Sequence, residues 1–302
     1  MDHQAPAVVI VVVAYQNADV IADLLESIPV AVRGLAAHVI VVDNGSTDGT
    51  AELVAARAGV ELVRSSNRGF SAGINLGVTS APFSPAVLVL NADTRLTPSS
   101  VAPLLEAVQR PGIGLAAPLI RGADGRIIHT LRREPNLAGA LGLARIGFSA
   151  LSEYLTAEEQ YASEHSVYWA TGAALCMSRE CYDAVGGWDE SYFLYSEETD
   201  FSLRARDLGF ETLFVPSAEV VHLEGQSGRS ARTYSMQEVN RVRLYRRRHG
   251  AVRASVFLVA LAFRHLTRFL AGDAYGRPVM KALLFPSSRP PEINCSDSWL
   301  PR

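Results

Sequence analysis

Acidic and amide side chains follow several apolar runs of this sequence, at points where a strand would end. Asp43 comes after one such run, and Asn91 and Asp93 follow another. Two oxygen-bearing side chains two positions apart, with the small Ala92 between them, suit a hard divalent cation such as Mg²⁺ or Mn²⁺. We therefore expect a metal site centred on Asp93. The alternative is a turn in which these side chains bind only local backbone groups.

The densest group of acids follows an aromatic stretch at 192–195. Glu197, Glu198 and Asp200 lie within four positions of one another. Crowded carboxylates beside apolar side chains have raised pKa values, as a general base requires. Arg204, one helical turn after Asp200, is placed to orient it. The alternative is that these acids only complement the dipole at the start of a helix.

The first 120 residues contain the alternating pattern that would position these side chains. The predicted strands are 8–13, 38–42, 60–64 and 86–90, and the predicted helices are 18–28, 50–58, 69–80 and 98–110. Fully apolar strands alternating with helices predict an α/β fold whose mostly parallel sheet is covered on both faces. Ligands of such sheets bind beyond the carboxyl ends of the strands, where Asp43 and Asp93 would lie.

The region from 112 to 250 has a less regular pattern. We predict two short strands within 112–130, a mobile loop over 131–163, and further strands and helices after it. Those strands are 167–177, 213–215 and 219–221, and the helices are 179–185 and 197–208. The prediction is one domain over 1–250, with a first half at 1–120 and a second half at 121–250.

The remaining residues, 251–302, are predicted to form a helical extension in which basic and apolar residues alternate. Arginines precede the apolar run at 254–263, and Arg264, His265 and Arg268 break it off. A membrane-spanning helix needs about 20 apolar residues, so this run is too short to span. The pattern favours a helix lying in the interface of an anionic membrane. Packing against the preceding domain is the alternative.

The composition excludes some classes of protein. The chain has 302 residues, 48% of them hydrophobic, and a net charge of −3, so nucleic acid is not expected as a partner. Its three cysteines, Cys176, Cys181 and Cys295, lack metal-ligand spacing and indicate free thiols in a reducing compartment. The apolar run at 8–13 is short and follows Asp2, which argues against a signal peptide and for a cytoplasmic protein.

Four motifs occur in one order that is typical of a known family. They are Val-Val-Asp-Asn-Gly-Ser-Thr-Asp-Gly-Thr from Val41, Asn-Arg-Gly-Phe-Ser-Ala-Gly-Ile-Asn-Leu-Gly from Asn67, Asn91-Ala92-Asp93, and the Glu-Glu-x-Asp cluster. Over about residues 8–250 the chain resembles the family-two inverting glycosyltransferases of the GT-A fold, and within them the bacterial rhamnosyltransferase-like branch. The resemblance implies a Rossmann-like central sheet flanked by helices.

The resemblance also implies roles for individual residues on the donor side. The base and ribose of a nucleotide sugar would be held by Ala14, Tyr15 and Asp43, and the floor beneath them formed by Asn67, Gly69 and Asn75. The segment Asn91-Ala92-Asp93 stands where the family has its Asp-x-Asp metal motif, with asparagine in place of the first acid. His222 resembles the family's metal-binding histidine, so Asp93 and His222 are the expected metal ligands. Ser227 and Arg229 are expected to contact the diphosphate.

On the acceptor side, Gly172, Trp188 and Asp189 match segments that line the acceptor site. Glu198 matches the usual catalytic base, with glutamate in place of aspartate. The order of candidates for the base is therefore Glu198, then Asp200, then Glu197.

The implied reaction is the transfer of one sugar, with inversion, to a hydroxyl of a cell-surface glycan or a polyprenyl-diphosphate-linked acceptor. The expected donor is dTDP-rhamnose, and a UDP-sugar supplying galactofuranose or another hexose is the alternative. Processive synthases of the family carry a Gln-x-x-Arg-Trp motif and several transmembrane helices, which this sequence lacks. The glycine signatures of nucleotidylyltransferases and dinucleotide-dependent oxidoreductases are also missing after the first strand. An inactive sugar-nucleotide-binding protein is the alternative from another class.

Overall fold

The centre of the protein is a nine-stranded sheet with a two-stranded sheet beside it. The computed structural model describes residues 5–143, 151–223 and 230–294. The strands are β1 (Val8–Ala14), β2 (Ala37–Asp43), β3 (Val60–Arg64), β4 (Ala86–Asn91), β5 (Thr94–Leu96), β6 (Ile113–Gly122), β7 (Leu131–Arg132), β8 (His165–Val167), β9 (Trp169–Ala170), β10 (Ala174–Ser178) and β11 (Glu211–His222).

The large sheet is mostly parallel, as the sequence predicts. Its order is β3-β2-β1-β4-β10-β6-β11-β5, with β8 paired to β11, and β7 and β9 form the small sheet. The six strands β1 to β4, β6 and β11 point the same way, whereas β10, β5 and β8 run antiparallel to their neighbours. The carboxyl ends of the parallel strands therefore meet at one edge, where a ligand site is expected.

Helices cover both faces of this sheet. They are α1 (Ile21–Ala31), α2 (Thr50–Ala55), α3 (Phe70–Ser80), α4 (Ala102–Val108), α5 (Leu137–Leu141), α6 (Arg179–Val185), α7 (Glu197–Asp207), α8 (Ala231–Leu270), α9 (Gly276–Leu284) and α10 (Pro291–Asn294). In β1, Val8, Ile10 and Val12 pack with α1, α2 and α4, while the alternate residues pack with α3, α6 and α7. Since successive side chains of a strand point to opposite faces, a sheet buried on both sides needs the continuous apolar run observed here.

Some elements differ from their predicted form. A single strand, β6, replaces the two short strands expected within 112–130. The predicted strands 213–215 and 219–221 are parts of one strand, β11, whose register shifts between Val215 and Glu219. Pro216 lies at this irregularity and cannot donate a hydrogen bond to the ladder. In the predicted loop 131–163, the described residues include β7 and α5 and bury Leu131 and Tyr161.

The C-terminal extension packs against the rest of the chain. α8 crosses the predicted domain boundary, with a break at Gly250, where φ is 80° and ψ is 173°. Its two halves and α9 share an apolar core that includes Met236, Phe257 and Val279. Among the described helices, α8 alone is long and apolar enough to cross a membrane by length and composition, and 33% of its most apolar 18-residue stretch is buried.

Candidate active site

A cavity of about 440 Å³ opens beside the carboxyl ends of the parallel strands. Asn91 at the end of β4 and His222 at the end of β11 line it, together with Glu197 and Glu198 at the start of α7. The first half of α8 contributes another wall. Residues from four distant parts of the sequence therefore face one space, at the position that the fold predicts for a ligand.

Asp93 and His222 lie together on one side of this site. His222 pairs with Thr94 across the antiparallel strands β11 and β5, which places it beside the turn that contains Asp93. The distance between His222 Nε2 and Asp93 Oδ1 is 3.1 Å. Both side chains are largely buried, and Leu223 N donates to Asp93 O at 2.9 Å. The sheet register thus brings together the two residues expected to bind a metal.

The donor set at this point fits a divalent cation that takes part of its coordination shell from a substrate. A carboxylate and an imidazole converge here, and Asn91 lies on the wall of the same cavity. In the residues that the structure describes, no group of three or more His, Cys, Asp or Glu side chains is arranged to hold a metal. Phosphate oxygens and water would therefore supply the remaining ligands, as is usual for Mg²⁺. Ser227 and Arg229, the predicted diphosphate contacts, lie outside the described residues.

The three acids of the 197–200 cluster have different surroundings. Glu197 and Glu198 line the cavity, and Oε2 of each is buried without a hydrogen-bond partner among the described residues. Asp200 instead accepts a hydrogen bond from Arg204 Nε at 2.7 Å, so Arg204 is in the contact with Asp200 that its predicted orienting role requires. The cavity-facing carboxylates are therefore Glu197 and Glu198.

The pKa values of these acids reflect burial. Burial raises the pKa of the Glu197 carboxyl well above its usual range, and the charge of Glu198 adds to the effect. Burial also raises the pKa of Glu198, although backbone N–H groups, including that of Gly172, and the charge of Arg132 partly offset it. Two adjacent carboxyl groups in one apolar setting favour a state in which they share a single negative charge.

The small sheet of β7 and β9 supports Glu198. Gly172, which follows β9, lies against the Glu198 side chain, and its backbone N–H lowers the pKa of the Glu198 carboxyl. On β7, Arg132 is buried, donates to the carbonyl oxygens of His129 and Leu131, and stacks on Tyr154 with 4.0 Å between Cζ and the ring centroid. Sequence reasoning missed Arg132, because the strand is two residues long and has no periodic pattern.

A strained turn precedes α7. Tyr195 and Ser196 have φ values of 69° and 73°, in the left-handed region that L-residues seldom adopt. Asn240 Nδ2 on α8 donates to the carbonyl oxygens of Leu194 and Tyr195, at 2.9 and 3.1 Å. Such strain persists where surrounding contacts enforce it. Asn240 is a further residue that sequence reasoning missed, because its role depends on a contact between distant segments.

The turn before α7 is also held from the loop after β3. Gly69 has a φ of 96°, and a Cβ placed there would lie 2.4 Å from Phe193 O. Phe70 N donates to the same carbonyl at 2.8 Å, and Asn67 Oδ1 accepts from Gly69 N. Glycine at this position therefore permits the close contact between the loop after β3 and the turn before α7.

The strand ends expected to bind the nucleotide lie next to one another. Ala14 and Asp43 are partners in the register of β1 and β2, and both are buried. Asp43 accepts from Ser46 N at 3.2 Å, and Ser46 Oγ accepts from Gln16 N at 3.0 Å. Tyr15 is 49% exposed, so its ring is available to a ligand beside the loops that follow β1 and β2. Ala92, which lies between Asn91 and Asp93 in the sequence, is buried.

Asn75 connects α3 to the segment before α7. Its Oδ1 accepts from Trp188 N and Tyr182 Oη, each at 3.0 Å, and its Nδ2 donates to Trp188 O and Glu190 Oε1. Trp188 is buried and stacks on Phe201 with 5.0 Å between ring centroids. These contacts give Asn75 and Trp188 a supporting position beneath α7.

The C-terminal helix completes the cavity. Arg241 Nη2 donates to Glu153 at 2.6 Å, and its Nη1 donates to Glu238 Oε2 at 3.0 Å. Asp189 pairs with Arg247 on the same helix. Arg264, beyond the break in α8, also lines the cavity. The sequence pattern did not reveal that this helix forms part of the site.

The mostly parallel sheet flanked by helices, with its ligand site at the carboxyl ends of the strands, has the architecture of the GT-A fold. The chain belongs to the glycosyltransferase-like family 2, whose sequence model matches residues 5–245. It is 34% identical over 206 residues, covering 63% of this chain and 67% of the relative, to the N-acetylglucosaminyl-diphospho-decaprenol L-rhamnosyltransferase of Mycobacterium tuberculosis. The rhamnosyltransferase WbbL of Escherichia coli is 22% identical, covering 74% of this chain and 86% of that protein.

A solved structure supports the fold. The mannosyltransferase of Pyrobaculum calidifontis, in complex with GDP-mannose and Mn²⁺, superposes with a TM-score of 0.58. The sequences are 17% identical, and the match covers 97% of this chain and 84% of that chain. The predicted family and the predicted GT-A fold are therefore confirmed.

Proposed function

We propose that this glycosyltransferase adds one sugar, with inversion, to an acceptor hydroxyl and that Glu198 is its general base. The observation that carries the proposal is the position of Glu198. Its carboxylate lines the same cavity as Asn91 and His222, and its Oε2 is buried without a hydrogen-bond partner among the described residues. A carboxylate that lies against Gly172 and has one oxygen without a hydrogen-bond partner among the described residues can accept a proton from a bound hydroxyl.

In the proposed reaction, Glu198 takes the proton of the acceptor hydroxyl. The hydroxyl oxygen forms a bond to the anomeric carbon while the bond from that carbon to the diphosphate oxygen breaks. The electron pair of that bond leaves with the nucleoside diphosphate. Since attack and departure occur on opposite faces, the anomeric configuration inverts. Arg204 keeps Asp200 in an ion pair, which leaves Glu198 as the preferred base and places Glu197 second among cavity residues.

Asp93 and His222 are proposed to hold Mg²⁺ or Mn²⁺ together with the donor diphosphate. Their 3.1 Å separation and the position of Asn91 on the cavity wall support this assignment. The cation, when bound, would supply a positive charge to the leaving diphosphate. Ser227 and Arg229 remain predicted contacts of that diphosphate.

The proposed donor is dTDP-rhamnose, and the proposed acceptor is a polyprenyl-diphosphate-linked or cell-surface glycan. The similarity to the mycobacterial N-acetylglucosaminyl-diphospho-decaprenol L-rhamnosyltransferase supports rhamnose as the sugar and a prenyl-diphosphate-linked acceptor. A UDP-sugar that supplies galactofuranose or another hexose is the alternative donor. In either case the nucleotide is expected beside Tyr15 and Asp43.

We further propose that the protein binds the cytoplasmic face of the membrane peripherally. The second half of α8 carries large apolar side chains at spacings of three and four residues, which place them along one stripe. The exposed side chains of this stripe are Val252, Val256, Val259, Phe263, Leu266 and Leu270. An exposed apolar stripe on a basic helix suits an interfacial position. Replacing Val259 and Phe263 with serine should then reduce co-sedimentation with anionic vesicles, whereas unchanged co-sedimentation would contradict this part of the proposal.

A panel of nucleotide sugars tests the function directly. Release of nucleoside diphosphate is measured with and without a prenyl-diphosphate-linked glycan, in Mn²⁺, in Mg²⁺ and in a chelator. Acceptor-stimulated release from dTDP-rhamnose is the expected result. A protein that only binds sugar nucleotides would show thermal stabilisation by the donor but no release above background, and this outcome would refute the enzymatic proposal.

A further inference from the structure

A second cavity, of about 460 Å³, lies on a different face of α8 from the active-site cavity. The first turn of α8, α9 and the residues just before α10 form its walls. Four cations line it: Arg232 from α8, Arg277 and Lys281 from α9, and Arg289. None of these residues takes part in the proposed transfer reaction.

Among the described residues, the cations at this cavity outnumber the carboxylates. Arg232 pairs with Glu292. Arg277 and Lys281, four residues apart and therefore on one face of α9, form no ion pair within the described parts of the chain. Arg289 is 7% exposed, its Nε donates to Ala282 O at 3.1 Å, and burial lowers its pKa. A concave surface on which the described residues supply several cations and one carboxylate favours an anionic ligand.

We propose that this cavity binds a phosphate group. Guanidinium groups match phosphate oxygens with paired donors, and a lysine ammonium adds a point charge. The amino-terminal end of α8, whose first turn lies in the wall, contributes favourable electrostatic potential. Leu284 and Phe285 are exposed immediately after Lys281 on α9 and add an apolar surface beside the cations. That combination points to the headgroup of an anionic phospholipid as the source of the phosphate.

Lys281 is the only lysine of the chain, and it provides a site-specific readout. The full-length protein is treated with an amine-reactive acylating reagent, and acylation of Lys281 is followed by mass spectrometry. Inorganic phosphate is compared with chloride at equal ionic strength, and phosphatidylglycerol vesicles are compared with phosphatidylcholine vesicles. Protection by the anionic vesicles alone identifies a lipid headgroup, and protection by inorganic phosphate alone identifies a free phosphate. Equal reactivity of Lys281 in all conditions would overturn the proposal.

Arg277→Gln tests whether the protecting ligand occupies this cavity. Arg277 is exposed, so the substitution should leave the fold intact, and Lys281 remains as the reporter. Loss of one charge-assisted contact should raise the ligand concentration needed for protection about tenfold. The matched control is Arg33→Gln, which removes an exposed cation after α1. Protection of the Arg277→Gln protein at wild-type concentrations would show that the ligand binds elsewhere, and would also overturn the proposal.

Discussion

The imidazole of His222 lies 3.1 Å from the carboxylate of Asp93, although 129 positions separate them in the sequence. The contact follows from the pairing of His222 with Thr94, which joins the end of β11 to the turn after β4. Because both strands belong to the central sheet, the pair is held by backbone hydrogen bonds as well as by its own contact. The sheet therefore presents two candidate metal ligands at a fixed separation.

Removal of either member of this pair should weaken metal-dependent donor binding. Asp93→Asn keeps the size of the side chain but removes its charge, so we expect donor affinity in Mn²⁺ to fall at least about tenfold. The measurement is donor titration by calorimetry with Mn²⁺ and with a chelator. Asp124→Asn, an exposed acid in the 122–126 turn, is the control. An unchanged metal dependence in Asp93→Asn would refute the metal assignment.

Gly69→Ala should destabilise the protein far more than Gly34→Ala. Both glycines have positive φ, 96° and 81°, but a Cβ meets Phe193 O at 2.4 Å in the first case and nothing within 4 Å in the second. The backbone cost alone is about 1 kcal/mol, and the clash raises the loss at Gly69 to about 3 kcal/mol. Denaturant unfolding of the two variants measures the difference. Equal losses would show that the contact with Phe193 is not tight.

Asn240→Asp tests whether α8 positions the turn before α7, from which the proposed base Glu198 follows. The substitution replaces an amide donor with a carboxylate that faces the carbonyl oxygens of Leu194 and Tyr195. We expect kcat to fall about tenfold or more while the KM for the donor changes little, because misplacing a catalytic group mainly affects the chemical step. Ser255→Ala, on the exposed part of the same helix, is the control. A rise in donor KM with unchanged kcat would contradict this role.

Glu238 should make stability depend on pH. Burial alone would raise its pKa, but the charge of Arg241 and the nearby His265 outweigh burial and bring the pKa to about 2, below the ordinary 4.5. The stabilisation is therefore complete above pH 4.5 and disappears as the pH falls towards 2. Glu238→Gln should cost about 3 kcal/mol at neutral pH, with a smaller difference in acid. Exposed Glu106→Gln serves as the control, and a difference from wild type that does not change with pH would contradict the assignment.

The sequence predicted the sheet and part of the site for identifiable reasons. The six apolar residues from Val8 to Val13 can be buried only in a sheet covered on both faces, and this pattern is local. Asp93 is recognisable because it follows such a strand. The boundaries of α3 and α6 were also predicted to within one residue, since glycine and serine mark their ends.

The rest of the site depends on contacts that no local pattern contains. Arg132 lies in a two-residue strand, and Asn240 acts across 45 positions on the backbone of Tyr195. The extension beyond 250 was expected to be an appendage, yet Arg264 lines the cavity. These residues become visible only when long-range packing is known. Local periodicity therefore predicts where the sheet edge lies, but it does not predict which distant residues line the cavity beside that edge.

Glu198 is the centre of the proposed mechanism, and its replacement by glutamine gives the most direct test. Initial rates of sugar transfer are measured for Glu198→Gln and for Asp200→Asn, together with donor affinity for each. Glu198→Gln should lose about a thousandfold in kcat while donor affinity is retained, because a general base contributes roughly a hundredfold to ten-thousandfold. Asp200→Asn should lose less, since its carboxylate is paired with Arg204. Near wild-type turnover by Glu198→Gln would contradict the account.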